Sequence, residues 1–471
     1  MVGSDYGIGY SGGGITGIFA GMCADHVLES MIPPEAAISG ASGGMVGYIL
    51  QRSTFAAPNP MQSYHPVHYP PDYSPELTLA TLQSNLAPKG FTFWANAANF
   101  IPNITTASRH VRAPNAPEGV QAAEVGPTSK RKPTSKREML SRDSTKGWWQ
   151  DVIAALFVVG YGIPLSKVGH VRPLGDLAIG VGVVPQRAVP LKRNARGVLV
   201  DGNATIRFAT LNTVHGQDDL RFDGIGVRLA PSQRPISPAV GAAWTSPFVS
   251  ASILESSVQF LVERALELAD KGLVISTTGS VDAAPPEVLY IVDGGMVDTT
   301  GAVALLQRQK KHILLNYVNN DQIAPVAVGR QSELASFAFL FGVDAKTDTM
   351  NSLPGPELMQ VFDSELFPGV LANLTNGSRL LARLENVHVR ANSYLGVASY
   401  VIEDLLIMSN ARSQEFLDSF HDSKVAASVA ADWPDRMPTG FGTLESNLLC
   451  EFERWKLLIR HKDAIQQFFG Q

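Results

Sequence analysis

With 471 residues, 45% of them hydrophobic and 17% charged, the chain can bury a sizeable core as one large domain or two. Its formal net charge of -5 lacks the basic balance that marks a nucleic-acid partner, so no nucleic acid is expected. Cys23 and Cys450 lie at opposite ends with neither metal-type nor redox-type spacing, and no basic region with an apolar core opens the chain, so reduced thiols in a cytoplasmic setting are the expectation.

The first fifty or so residues read as strand, glycine loop, helix, short strand, serine turn and helix, the start of a parallel α/β sheet. Ser11-Gly12-Gly13-Gly14 is the first turn, and Ile15 to Met22 continues from it as an apolar, helix-forming run. Ala36 to Ser39 is a short buried strand and Met45 to Leu50 a helix start, which leaves Ser42 at the tip of the second turn, Gly40-Ala41-Ser42-Gly43-Gly44.

From Arg52 to about Pro88 the chain turns rich in Pro, Tyr and Ser. His65 and His68 fall there, but the flanking prolines oppose the helix that would align them on a metal, and no acid or cysteine completes a ligand set. Phe91 to Trp94 with Phe100 reads as an aromatic core cluster. Thr105 to Lys146 has few large apolar residues and carries Lys130-Arg131-Lys132 and Lys136-Arg137, so it reads as a solvated basic insertion; contact with anionic lipid headgroups is the competing role. Val152 to Leu165 is apolar but shorter than the roughly 20 residues that span a bilayer, and is read as buried, with an interfacial lid as the competing role.

Gly197 to Val200, then Asp201-Gly202-Asn203, then Ala204 to Phe208 reads as a hairpin in a β-rich stretch. Leu254, Val258, Leu261, Val262, Ala265 and Leu268 recur at helical spacing, with Gly272 as the C-terminal cap. Val288 to Val292 is a continuous apolar strand of the parallel-sheet type, and it ends directly in Asp293-Gly294-Gly295. Ala302 to Gln309 reads as helix and Ile313 to Val318 as strand. Helices are expected beyond, at Ser378 to Glu385 and Tyr400 to Met408, with Leu448, Phe452, Trp455 and Ile459 as one apolar face.

A serine between glycines at a strand-to-helix turn has the setting of a nucleophile elbow, where the hydroxyl stands exposed over a helix N-terminus. N–H groups of consecutive glycines can approach an oxyanion closely because no side chain intervenes. Too few residues precede Ser42 for the sheet of an α/β-hydrolase, and neither His26 nor His312 has a setting beyond a structural one. The remaining candidate is a direct Ser–Asp pair. Asp201 and Asp223 also precede glycines, but only Asp293 follows so apolar a strand.

Taken together, Ser11-Gly12-Gly13-Gly14-Ile15, Gly40-Ala41-Ser42-Gly43-Gly44 and Asp293-Gly294-Gly295 resemble the three ordered motifs of patatin-like lipid acyl hydrolases and the related cytosolic phospholipase A2 catalytic domains. The resemblance covers about the first fifty residues and the surroundings of Asp293. It implies a three-layer α/β/α core with a mainly parallel sheet, a long insertion after the second helix and a helical C-terminal part, all in one catalytic domain. It further implies Ser42 as nucleophile, Asp293 as base, an oxyanion hole from Gly12, Gly13, Gly14 and Gly43, and lipid esters as substrate at a membrane or micelle interface. Neither a cofactor nor a metal is implied, and no carboxylate-rich loop of the calcium-binding kind accompanies the motifs. Thr16 stands where these families often carry an arginine for substrate phosphate, and the familiar Asn-Pro pattern after the aspartate is missing.

Two other readings compete. One is a non-catalytic lipid-binding scaffold of the same fold. The other is a dinucleotide-binding protein, since Gly7, Gly9 and Gly12 match a Gly-x-Gly-x-x-Gly fingerprint, although the residues ahead of it are polar. Any membrane contact is expected to be peripheral.

Overall fold

Alternation of small and large apolar residues through Tyr6–Tyr10 lets β1 bury both faces at the centre of a sheet. The computed structural model describes residues 4–52, 54–55, 168–169, 176–185, 192–193, 199–200, 207–213, 220–224, 274–276, 288–317, 334–344, 355–375, 379–419, 426–427 and 443–470. The elements that follow β1 are α1 (Gly14–Leu28), β2 (Ala37–Gly40), α2 (Ser42–Arg52), β3 (Asp176–Pro185), β4 (Arg207–Thr213), β5 (Leu220–Gly224), β6 (Val274–Ser276) and β7 (Val288–Asp293). After them come α3 (Ala302–Gln307), β8 (His312–Tyr317), α4 (Leu334–Leu340), α5 (Phe367–Thr375), β9 (Leu381–Val389), β10 (Tyr400–Ser409), α6 (Thr443–Trp455) and α7 (Lys462–Phe468).

Among the described residues the strands form a 10-stranded mixed sheet in the order β6-β7-β3-β2-β1-β8-β10-β9, with β4 joined to β3 and β5 to β4, and helices complete an α/β fold. Its centre is parallel: β3 with β2, β2 with β1, β1 with β8, β8 with β10. Its margins are antiparallel. Alternate residues of β1 serve opposite faces. Tyr10 reaches α1, donating its hydroxyl to Asp25 at 2.9 Å, and stacks on Tyr48 of α2. Gly7 and Gly9 face Leu305 of α3 instead. On that second face a core cluster gathers Leu305, Leu315, Phe337, Phe341 and Ile407.

Several expectations are corrected. β7 is a strand, but it runs antiparallel to β3, because a continuous apolar run reports burial on both faces and not direction. Residues 381–389 and 400–409 are strands and not helices. Their Leu, Glu and Arg content favours helix locally, yet β10 completes the central sheet beside β8 with Leu405 to Met408 fully buried, and that tertiary pairing wins. Leu199–Val200 pairs antiparallel with Lys192–Arg193. Leu448, Phe452 and Trp455 do share a buried face, whereas Ile459 is 38% exposed, because Lys456–Arg460 forms a π-helical turn that shifts the helical phase. Cys23 of α1 and Cys450 of α6 are joined as a disulfide, Cα atoms 5.2 Å apart, across 427 residues. That overturns the expectation of separate reduced thiols and with it the ground for a reducing setting.

The helix expected over 254–268, the hairpin turn at 201–203, the histidines at 65 and 68, the aromatic cluster at 91–100, the insertion at 105–146 and the apolar stretch at 152–165 lie outside the described residues. Among the described residues no helix is long and apolar enough to cross a membrane.

Candidate active site

β2 ends at Gly40, Ala41 follows, and Ser42 opens α2 with φ at 50°. This left-handed backbone is uncommon for a residue with a side chain and costs of order 1–3 kcal/mol, so the surroundings must hold it in place. They do so through close approach of backbones. A Cβ on Gly44 would lie 2.1 Å from the carbonyl oxygen of Ser11 and 2.8 Å from that of Tyr10, so only glycine lets α2 press onto the turn after β1. The same packing continues along α1 and α2, where Cβ atoms on Gly21 and Gly47 would run into the backbone of the facing helix.

That first turn comes directly against the serine. A Cβ on Gly12 would sit 3.1 Å from Ser42 Cβ and 3.4 Å from Thr299 Cγ2. Gly13, the N-cap of α1, takes φ 133°, a region closed to other residues, and turns the chain into the helix. Ser11 N–H donates to the Asn316 carbonyl at 3.2 Å and Gly12 N–H to the Thr299 carbonyl at 2.7 Å. The Gly12 donor is therefore committed to the protein. The first-turn N–H groups of α1 and α2, at Gly13, Gly14 and Gly43, have no acceptor within their own helices.

Asp293 arrives along the same edge of β3 as β2, from the opposite direction. β4 runs along one edge of β3 from Ala178 to Val183, so β2 and β7 must share the opposite edge. β2 uses its first half, with Gly40 opposite Ile179, and β7 its second half, with Asp293 opposite Val181. The two strands thus meet with their carboxyl ends facing one another. Ile179 and Val181 are two residues apart in register, which at about 3.3 Å per residue separates the strand ends by roughly 7 Å. The junction is tight: a Cβ on Gly294 would lie 2.0 Å from the Gly180 carbonyl oxygen, and one on Gly180 would lie 3.6 Å from that of Gly40.

From the junction, residues 294–301 cross back over the ends of β2 and β1. Val297 and Asp298 N–H groups both donate to the Gly294 carbonyl, and the Thr299 hydroxyl donates to that of Gly295 at 2.8 Å. Asp298 clasps the end of this segment. One of its oxygens accepts from the Thr300 N–H at 3.0 Å and the Thr300 hydroxyl at 2.6 Å, the other from the Val303 N–H at 2.8 Å. Burial pushes its carboxyl pKa up, and these hydrogen bonds, Thr300's hydroxyl first, pull it back down. With both oxygens engaged, Asp298 fixes the loop and the start of α3.

The structure therefore brings Ser42, the Gly12 turn and the Asp293 strand end together. It does not do so for the dinucleotide fingerprint: Gly7 and Gly9 lie within β1, where added Cβ atoms would meet Leu305 and Leu315, and only Gly12 is in the turn. Thr16 is buried in the first turn of α1, and its hydroxyl has no hydrogen-bond partner among the described residues. His26 lies 2.9 Å from Gln51 Nε2 through Nδ1, and His312 stacks on Tyr6 near Glu403, so both are structural.

Sequence reasoning missed Asp298, whose signal was an Asp two residues before a Thr at a helix start, the pattern of a side chain closing a turn. It also missed Lys456, which nothing in the helical pattern set apart. No protein-family model matches the chain, and no curated protein matches it.

Proposed function

We propose that the protein is a lipid acyl hydrolase in which Ser42 is the nucleophile and Asp293 its base, on a three-layer α/β/α core of the patatin-like kind. The observation that carries this reading is Ser42 itself, held at φ 50° in a strand-to-helix turn with Gly12 against its Cβ. Strain maintained by such close packing is a feature of sites where geometry matters more than stability.

The chemistry follows from the arrangement. Asp293 accepts the proton of the Ser42 hydroxyl as its oxygen attacks the ester carbonyl carbon. The resulting oxyanion is met by N–H groups at the N-termini of α1 and α2, from Gly13, Gly14 and Gly43, where both helix dipoles favour negative charge. Gly12 serves by its small size and by anchoring the turn to Thr299, not as a donor. Collapse expels the alcohol, which takes the proton back from Asp293, and water then releases the acyl group by the same steps in reverse roles. Thr16, buried in α1, supplies no cation where the resembling families often carry an arginine for substrate phosphate, which favours esters whose recognition does not depend on a phosphate. The protein works on this reading as a peripheral visitor to a membrane or micelle surface.

The test is a panel of a short-chain nitrophenyl ester, a neutral acylglycerol, a phospholipid and a lysophospholipid, with wild type, Ser42→Ala and Asp293→Asn side by side. Wild type is expected to turn over at least one ester, and each variant to lose about 10³-fold or more, in line with losses at other nucleophile–base units. Wild-type turnover that survives in Ser42→Ala would assign the chemistry elsewhere.

A further inference from the structure

The C-terminal part of the chain reaches the glycine turn from behind. Lys456 opens the π-helical turn Lys456–Arg460 and its side chain is fully buried. Its Nζ donates to Asn316 Oδ1 at 2.9 Å, to Glu453 Oε1 at 3.1 Å and to Asn410 Oδ1. Asn316 lies near the carboxyl end of β8 in register with Tyr10, and its backbone carbonyl is the acceptor of the Ser11 N–H. A lysine has donors only, so it selects the oxygen of the Asn316 amide. Among the described residues Asn316 Nδ2 is buried without a hydrogen-bond partner, and the cation is the group there that sets the amide's orientation.

We propose that Lys456 is a positioning residue for the candidate active site: by holding Asn316 it fixes the anchor of Ser11 and so the turn that presents Gly13 and Gly14. Its catalytic consequence rests on the hydrolase reading above, whereas the mechanical link does not. Two features favour this role over simple stabilisation. A buried lysine–glutamate pair is a poor source of stability, since apolar residues of similar volume often serve as well or better. Burial also pushes the Lys456 pKa down, and among the described residues Glu453 pulls against that shift. A π-turn, moreover, sacrifices regular helix to redirect a side chain, and such turns concentrate at functional sites.

Hydrogen exchange of the peptide spanning residues 10–17 tests the link in the full-length protein. Lys456→Met is expected to speed exchange of the Ser11 and Gly12 amides at least tenfold. Leu374→Ala, which loosens the core on the opposite face of the sheet, should leave those amides unchanged. Asn316→Ser, which removes the lysine's acceptor and keeps the carbonyl, carries the same readout if Lys456→Met does not fold. On any ester that wild type cleaves, Lys456→Met should lower kcat at least tenfold with KM held. Unchanged exchange at Ser11 and Gly12 in a folded variant overturns the proposal even if the protein is a hydrolase. Faster exchange in a protein whose wild type cleaves no ester upholds the link and removes the hydrolase reading instead.

Discussion

Ser42 concentrates the cost of the site in one residue. Its φ of 50° is a conformation that glycine adopts freely and alanine does not. Ser42→Gly should therefore be more stable than Ser42→Ala by about 1 kcal/mol, with both inactive. Matched chemical denaturation of the two variants reads the difference, and equal midpoints would mean the turn relaxes without glycine. The serine was legible in the sequence because the glycines around it are a local signal. Asp298 left only the local signal of an Asp two residues before a Thr, and Lys456 left none, because its partners Asn316 and Asn410 are brought to it by folding.

At the scale of elements, α1 and α2 approach through glycine faces, and β2 and β7 end against each other on one edge of β3. Gly44→Ala places a Cβ 2.1 Å from the Ser11 carbonyl oxygen, between backbones that cannot both yield, and should destabilise by about 2 kcal/mol or more. Gly369→Ala in α5 has nothing among the described residues within 4 Å of its Cβ and should stabilise by about 0.5–1 kcal/mol through helix propensity. Thermal unfolding of the pair checks the contrast, and a Gly44→Ala protein as stable as wild type would contradict the packing described. The opening strand-loop-helix pattern and the strand before Asp293 could be read from periodicity, since each is local. The direction of β7 could not, because pairing on β3 joins segments about a hundred residues apart. The strands β9 and β10 were misread for a related reason: the sheet they complete supplies the stabilisation that their own composition does not.

Over the whole molecule, the two ends of the chain are brought to one place. The disulfide ties α1 to α6, and Lys456 just beyond α6 reaches the ends of β8 and β10. Closing so long a loop restricts the unfolded chain, so Cys23→Ser should lower stability by about 2–5 kcal/mol, and reductant should lower the melting temperature of wild type but not of the variant. A melting temperature indifferent to reductant would mean the bond contributes nothing to the fold in solution. Two cysteines at opposite ends gave no spacing from which this closure could be read; it follows from packing α6 against α1.

On the proposed mechanism, the strand ends that meet on β3 let Asp293 activate Ser42 as a nucleophile. Labelling with a fluorophosphonate probe, followed by mass spectrometry of the modified peptide, tests it most directly because it needs no knowledge of the substrate. Wild type should be modified at Ser42, Asp293→Asn at least a hundredfold more slowly, and Ser42→Ala not at all. Modification of another serine, or equal labelling rates in wild type and Asp293→Asn, would contradict it.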